Sequence, residues 1–421
     1  MLLFAGAITT IMGQTLSNST FDEKWEDCKP WDGNKQSSKA QGTQPNGWCI
    51  ANVCGMNVPV FGYMGSTTVG TEGVGRTGVG KSVVLTNTPN PLSQDQIVPG
   101  YMSLGTTWAT AQANMSGSVT DGTADGGSFG GIEFIYHPDA VHLYFKRAHN
   151  VGNKTNVINL NEKASVIAYT WKGKWTQNDV PQTTSLSNPA KYPMEDRDRN
   201  VMFNASGTVG GEITKTPDAE LIASLEYYIE GDYSEWQELT IPFTYNSTNT
   251  PEKLNIIIGA EDYFADRSGI GNGNQITVDD VNLLYYSEIE SAKYNGESIS
   301  FDNEGNVSID DCYVADKFTF AKKGVAATVE GPLYDPNTAQ LTVTVKGEDI
   351  SVNPSNFHTY TIQFAKKGDV NGDKQVTIAD VTALVNIILG KDSQKAIADV
   401  NGDGSVTIAD VTALVNIILG K

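Results

Sequence analysis

Basic residues are scarce in this chain. Lys and Arg number 29 against 49 Asp and Glu over 421 residues, giving a formal net charge of −20. A surface that acidic repels phosphodiester backbones and anionic headgroups, which argues against nucleic acid or a membrane surface as partner. Histidine is scarcer still. The four copies, His137, His142, His149 and His358, fall at no metal-ligand or triad spacing. Cysteine also occurs four times, as Cys28, Cys49, Cys54 and Cys312. One bridge among the first three would suit an exported protein, and the pairing stays open. Cys49 and Cys54, with no histidine nearby, make a poor zinc site. Long hydrophobic runs are missing as well. The apolar N-terminal stretch, residues 1–13, is too short for a membrane span, which takes about 20 residues. It resembles the apolar region of a signal peptide without its basic flank; a buried N-terminal strand is the alternative. No other stretch is long enough to cross a bilayer.

Glycine (42), tyrosine (17) and tryptophan (7) are plentiful, a composition that favours sheets and turns over helices. Strand-like segments recur at Lys81–Leu85, Gly131–Tyr136, Val141–Lys146, Ser165–Thr170, Glu235–Phe243, Leu254–Ile258 and Gln275–Tyr285. Most alternate or form short apolar runs bounded by Gly, Pro or Asn clusters. That spacing predicts a jelly-roll-like β-sandwich over 14–287. Within its last strand Val278, Val281 and Leu283 cannot share one face by alternation, so a bulge is expected near Asp279-Asp280. A small second β-domain is expected over 288–365, with a hairpin turn at Asp302–Asn306. Gly75-Arg-Thr-Gly-Val-Gly-Lys-Ser82 fits the pattern of a phosphate-binding loop. Such a loop must follow a strand and open a helix. Here Val83-Val-Leu follows, which reads as strand, so nucleotide binding is not expected.

The end of the chain is a duplication. DVNGDKQVTIADVTALVNIILGK at 369–391 returns at 399–421 as DVNGDGSVTIADVTALVNIILGK, 30 residues on. Calcium takes six to eight oxygens, and a 12-residue loop supplies them from positions 1, 3, 5, 7, 9 and 12. In the first copy these are Asp369, Asn371, Asp373, Gln375, Thr377 and Asp380. In the second they are Asp399, Asn401, Asp403, Ser405, Thr407 and Asp410. Position 7 offers its main-chain carbonyl, so Gln375 and Ser405 are free to differ. Three carboxylates crowded in one loop call for a cation. Thr377 with Asp380 also reads as a capping box opening a helix. Ile378, Val381, Leu384, Val385, Ile388 and Leu389 form one apolar stripe, and Gly390 and Gly420 suit the helix stops.

These residues resemble the type I dockerin family over 369–421. The resemblance implies an all-α module (366–421) folded around two calcium ions and docked on a cohesin-like protein, in systems that degrade polysaccharide. Two departures stand out. The glycine usual at loop position 6 is Lys374 in the first copy and Gly404 in the second. Loop positions 10 and 11, often small hydroxyl residues, are Ile378-Ala379 and Ile408-Ala409.

The body resembles the carbohydrate-metabolism domain of bacterial exported proteins, a family without a defined reaction. The carrying segments are Gly131-Ile-Glu-Phe-Ile-Tyr-His-Pro138, Leu143-Tyr-Phe-Lys146, Trp236–Phe243 and Ile276–Tyr285. Three functions fit such a chain. A non-catalytic carbohydrate-binding protein would stack sugars on exposed rings, with Trp171, Trp175, Tyr136 and Tyr144 as candidates and polysaccharide as partner. A glycoside hydrolase would need two carboxylates about 5–10 Å apart, from among Glu133, Glu195, Asp196, Glu226, Glu230, Glu261 and Asp262. A structural cell-surface protein would use only the attachment end. All three place the protein outside the cell, or in a periplasm.

Overall fold

The computed structural model describes residues 15–421 except 33–34, 54–55, 59–61, 92, 111–124, 174, 178–212, 216–219 and 265–268. The segment 1–13 and Cys54 lie outside the described residues. The chain divides into two compact units, Met1–Leu284 and Tyr285–Lys421.

The first unit is a β-sandwich. Its strands, in chain order, are β1 (Cys49–Ile50), β2 (Gly70–Val74), β3 (Lys81–Thr86), β4 (Tyr101–Ser103), β5 (Ile132–Glu133) and β6 (Ala140–Ala148). There follow β7 (Ala164–Lys172), β8 (Glu220–Ile229), β9 (Tyr233–Pro242), β10 (Thr244–Tyr245), β11 (Lys253–Gly259) and β12 (Gln275–Leu284). One sheet runs β10-β8-β7-β11-β4-β1, with β5 also on β11; the other runs β9-β6-β12-β3-β2. Every pairing in them is antiparallel.

In β6, Val141, Leu143, Phe145 and Arg147 point to the core, while His142, Tyr144 and Lys146 are half-buried on the outer face. That alternation is the signature of a sheet wet on one side. Gly70 lies where the layers meet: a Cβ there would come within 2.5 Å of Ile50 on the opposite sheet. The expected bulge is present. His142 pairs Asn282 while Tyr144 pairs Asp279, and the extra residue, Asp280, has φ +51°.

The seven-stranded sheet differs, because β7 and β11 are buried on both faces. A hairpin of strands Thr106–Thr110 and Asp125–Phe129 covers the second face. A polar network fastens it there. Ser128 shares a hydrogen bond with Ser103 (2.6 Å) and accepts from Asn255 (3.0 Å), which also reaches the Tyr169 hydroxyl (3.0 Å). Trp171 shares this face with Tyr169 and is fully buried. The Gly131 main chain crosses so close that a Cβ would meet the indole at 2.8 Å. The expectation that Trp171 stacks on sugar is therefore corrected: the polar neighbours Lys172 and Gly173 mark the end of the strand, and the ring itself is core.

The phosphate-loop pattern is the turn of the β2–β3 hairpin. Gly75 N–H donates to Gly80 O at 3.1 Å, and Lys81 pairs with Glu72 of the facing strand at 2.9 Å.

One buried residue ties the loops at an end of the sandwich. The Oε2 of Glu162 accepts from Asn87 (3.1 Å), Gly271 N–H (2.9 Å) and Asn274 (2.5 Å). Its carbonyl accepts from Arg147 and meets His149 Nε2 at 2.9 Å, while His149 Nδ1 holds Asp232 at 2.6 Å. Burial pushes the Glu162 carboxyl up to about 7, more than these donors and the nearby Arg147 lower it.

In the second unit, strands β13 (Ile289–Tyr294), β14 (Glu297–Ile299), β15 (Asn306–Ile309), β16 (Phe318–Lys322), β17 (Thr328–Asp335), β18 (Gln340–Lys346) and β19 (Phe357–Phe364) form two sheets. These run β14-β13-β16 and β15-β19-β18-β17. Leu341, Val343, Val345, Ile362 and Phe364 are the centre of their core. The turn after Phe301 is tight, with Asp302 Oδ1 accepting from Glu304 and Asn306 N–H at 2.9 and 2.7 Å. It is not the hairpin expected, because β14 and β15 enter different sheets and β15 pairs parallel with β19. Beyond these sheets come α1 (Ile378–Ile388) and α2 (Ile408–Ile418), which share a separate cluster around Leu384, Leu414, Val370 and Val400.

Two outcomes follow. Folded Glu162 keeps its proton to about 7, whereas an unfolded chain releases it near 4.5. The stabilisation is thus present below 4.5 and lost as pH rises through 7, a change on the order of 3 kcal/mol. Denaturant unfolding of wild type and Glu162→Gln across pH 5–8 should show the wild type losing ground; parallel curves would refute the assignment. Trp171→Ala should destabilise the sandwich by about 3–5 kcal/mol, read in the same melts; a stability change under 1 kcal/mol would contradict its core placement.

Candidate functional site

The duplicated segment builds its site from hydrogen bonds local to each repeat. Thr377 caps α1, its hydroxyl accepting from Ala379 N–H at 3.2 Å. Asp380 is fully buried. Its Oδ1 accepts from Asn371 N–H at 3.0 Å and its Oδ2 from Thr377 N–H at 2.8 Å. One carboxylate thus closes the loop and starts the helix, where it also complements the helix dipole. Asp369 does the matching work at the loop entrance, accepting from Gly372 (2.8 Å) and Lys374 (2.7 Å) N–H. Asn371 and Asp373 continue the chain of acceptors, taking the N–H groups of Asp373 and Gln375, both at 2.8 Å.

The second repeat copies this pattern. Asp410 accepts from Asn401 (3.0 Å) and Thr407 (2.7 Å), and Asp399 from Gly402 and Gly404, both at 2.8 Å. Asn401 and Asp403 accept from Asp403 and Ser405 N–H at 2.8 and 2.9 Å. Burial pushes the Asp410 carboxyl up, but the N–H groups of Asn401, Thr407 and Val400 outweigh it and the net movement is down. Both helices end alike. Gly390 (φ +70°) and Gly420 (φ +66°) turn the chain, and Lys391 and Lys421 N–H return to Asn386 and Asn416 O at 2.9 Å, closing a six-to-one cap.

The donor set suits a hard cation. Ligand oxygens of Asp369, Asp373 and Asp380 lie within 4.8 Å of one another, the sole such cluster among the described residues. The remaining positions, Asn371, Gln375 and Thr377, also offer oxygen. Asn371 Nδ2 meets Asp373 at 3.0 Å and Asn401 Nδ2 meets Asp403 at 2.9 Å, so each asparagine presents its oxygen to the loop amides. Sequence reasoning missed Val370 and Val400, each 1% exposed, which carry the loops into the shared core. It also missed Lys395, whose ammonium donates to Val370 O at 3.2 Å. The apolar residue at loop position 2 was the signal for the valines.

The sugar-binding candidates are scattered. Tyr136 is half-buried edge-on against Phe134 (5.7 Å between centroids). Tyr144 carries the Arg76 guanidinium 4.2 Å over its ring and His142 edge-on beside it at 5.1 Å. Trp175 begins the short strand Trp175–Gln177. On the outer face with Tyr144, Lys146 lies 5.2 Å over Trp236, a ring the sequence reading left unassigned.

Several of the candidate carboxylates have partners of their own. Glu230 pairs with Lys163 at 2.6 Å, and Glu133 lies 3.9 Å from Lys253. Glu226 accepts from the Tyr228 hydroxyl, and burial, Glu226 and Asp262 together push that phenol up. Glu195 and Asp196 lie outside the described residues. Cys49 is half-buried, and loss of solvent around its sulfur raises the thiol to about 11.

No curated protein matches the chain. Among solved structures, a candidate glycoside hydrolase from Bacteroides thetaiotaomicron VPI-5482 is 11% identical, covering 62% of this chain and 72% of its own, with TM-score 0.32. A second candidate glycoside hydrolase, from Bacteroides vulgatus ATCC 8482, is 13% identical over 62% of this chain and 99% of its own, with TM-score 0.31. Scores that low carry no argument about fold or activity. The family model of the dockerin type I domain matches residues 367–419, which span both loops and both helices.

Proposed function

We propose that the chain is an exported protein of polysaccharide utilisation, a non-catalytic carbohydrate-binding or surface module attached to a partner by a calcium-stabilised dockerin. The carrying observation is the repeat at 369–421, where a buried carboxylate joins each acidic loop to its helix. Asp369, Asn371, Asp373, Gln375, Thr377 and Asp380 would hold one ion; Asp399, Asn401, Asp403, Ser405, Thr407 and Asp410 would hold the other. The ions neutralise carboxylates that otherwise repel, and so lock the loops onto the helices. A cohesin-like protein would contact the helix starts, where Ile378 and Ile408 stand 71% and 70% exposed. Because the copies are near-identical, it would fit in two orientations related by a half-turn.

For the sandwich, polysaccharide would contact the outer face around Tyr144, with Tyr136 and Trp175 as further candidates. A hydrolase is the second reading, favoured by the placing of Glu226 and Asp262 about the same Tyr228 phenol.

The module's core is small, so ion binding and folding are one event there. Chelation with EDTA should therefore erase amide hydrogen-exchange protection in 369–421 and spare both β-domains. Asp369→Ala and Asp399→Ala should each weaken one loop, and together abolish the calcium response. Protection that survives EDTA would refute the calcium reading.

Glycan-array binding by the whole chain, reduced at least tenfold by Tyr144→Ala, is expected of the binding reading. Release of reducing sugar that is lost in Glu226→Gln and Asp262→Asn would replace it with the enzyme.

A further inference from the structure

The two loops differ only at positions 374/404 and 375/405. At positions 375 and 405 the main-chain carbonyl would be the ligand, so the sequence difference that can make the loops unequal is Lys374 against Gly404. Both have left-handed backbones, with φ +68° at Lys374 and +89° at Gly404. Loop closure demands it, since the N–H of each must turn inward to the loop's first aspartate, at 2.7 and 2.8 Å. Glycine adopts that conformation freely, whereas a Cβ crowds the following carbonyl. The strain exists only while the loop is closed, because an open chain relaxes to extended backbone. A Cβ at Gly404 would meet open space, so the penalty is conformational and not a clash.

Charge adds a term of the same sign. Lys374 is exposed next to Asp373, and a bound dication repels its ammonium, weakly because solvent and salt screen it. Against both stands the greater chain entropy that a glycine loses on ordering, the smaller effect.

We propose that the two calcium sites are unequal. Loop 399–410 fills first, and loop 369–380 is the weaker, calcium-responsive step, with Lys374 setting the gap. This rests on the calcium reading of the module. Between the two affinities only the second loop is locked, so the calcium level of the medium would grade the order of α1 and with it any partner surface that α1 carries.

Calorimetric titration of the full-length chain with calcium chloride tests this. Asp399→Ala isolates the first loop and Asp369→Ala the second. The first should bind about tenfold more weakly, about 1.4 kcal/mol. Adding Lys374→Gly to Asp399→Ala should recover most of that factor, and adding Gly404→Lys to Asp369→Ala should impose it. Equal affinities in the two single-loop proteins, or a first loop indifferent to Lys374→Gly, would overturn the proposed asymmetry alone. No calcium uptake by any of the proteins would overturn the calcium reading itself.

Discussion

A carboxylate taken out of water must be met by donors, and that constraint organises both units of the chain. Asp380 and Asp410 are fully buried and Glu162 is 8% exposed. Each is answered by amides from segments that otherwise have no reason to meet. The outcomes differ because the donors differ. Asp410 sits at a helix start, where aligned main-chain N–H groups outweigh its burial and the acid is held down. Glu162 takes three donors on one oxygen, away from any helix start, and burial wins. The first arrangement yields a permanent anion at the edge of an acidic loop. The second yields a fastener whose contribution depends on its proton.

How much of this is readable in the sequence depends on the range of the contacts. In the C-terminal module the bonds that close each loop and cap its helix span at most nine residues, from Asn371 to Asp380, with only the Lys395 bond to Val370 O reaching 25. Loop, cap and helix are therefore written in consecutive letters, and duplication repeats the message. β6 is readable for a similar reason, since its alternation needs only one wet face. The Glu162 network joins residues 75, 109 and 112 positions away, and nothing local announces it. The bulge at Asp280 lies between these cases. Its valine spacing is local, while its partner Arg76 is 204 residues distant.

Trp171 marks where local reading breaks down. A tryptophan followed by lysine, glycine and lysine reads as a loop ring, and in a sheet with one wet face that would hold. β7 lies in a sheet covered on both sides, so its alternation is erased and polar neighbours no longer report exposure. The covering hairpin is fastened through Ser103, Ser128 and Asn255, short polar residues that in isolation look like surface. In such a sheet a buried polar network imitates a solvated face, and the rings beside it are misread in consequence.

The same logic explains why the duplicated module is near-symmetric yet need not behave so. Val370 and Val400 lie one residue inside their loops and are buried with Leu384 and Leu414 in a single cluster. Each loop therefore reports its state to both helices through shared packing. Gly368 tightens the coupling: a Cβ there would come within 2.9 Å of Leu414 and 3.0 Å of Val376, so the tether into the first loop lies directly on the second helix. A perturbation confined to one loop, such as a lysine held in a left-handed backbone, is then felt at the opposite helix without any change in that helix's own sequence. Identical helices therefore share, through one core, the consequence of a difference that sits at a single residue of one loop.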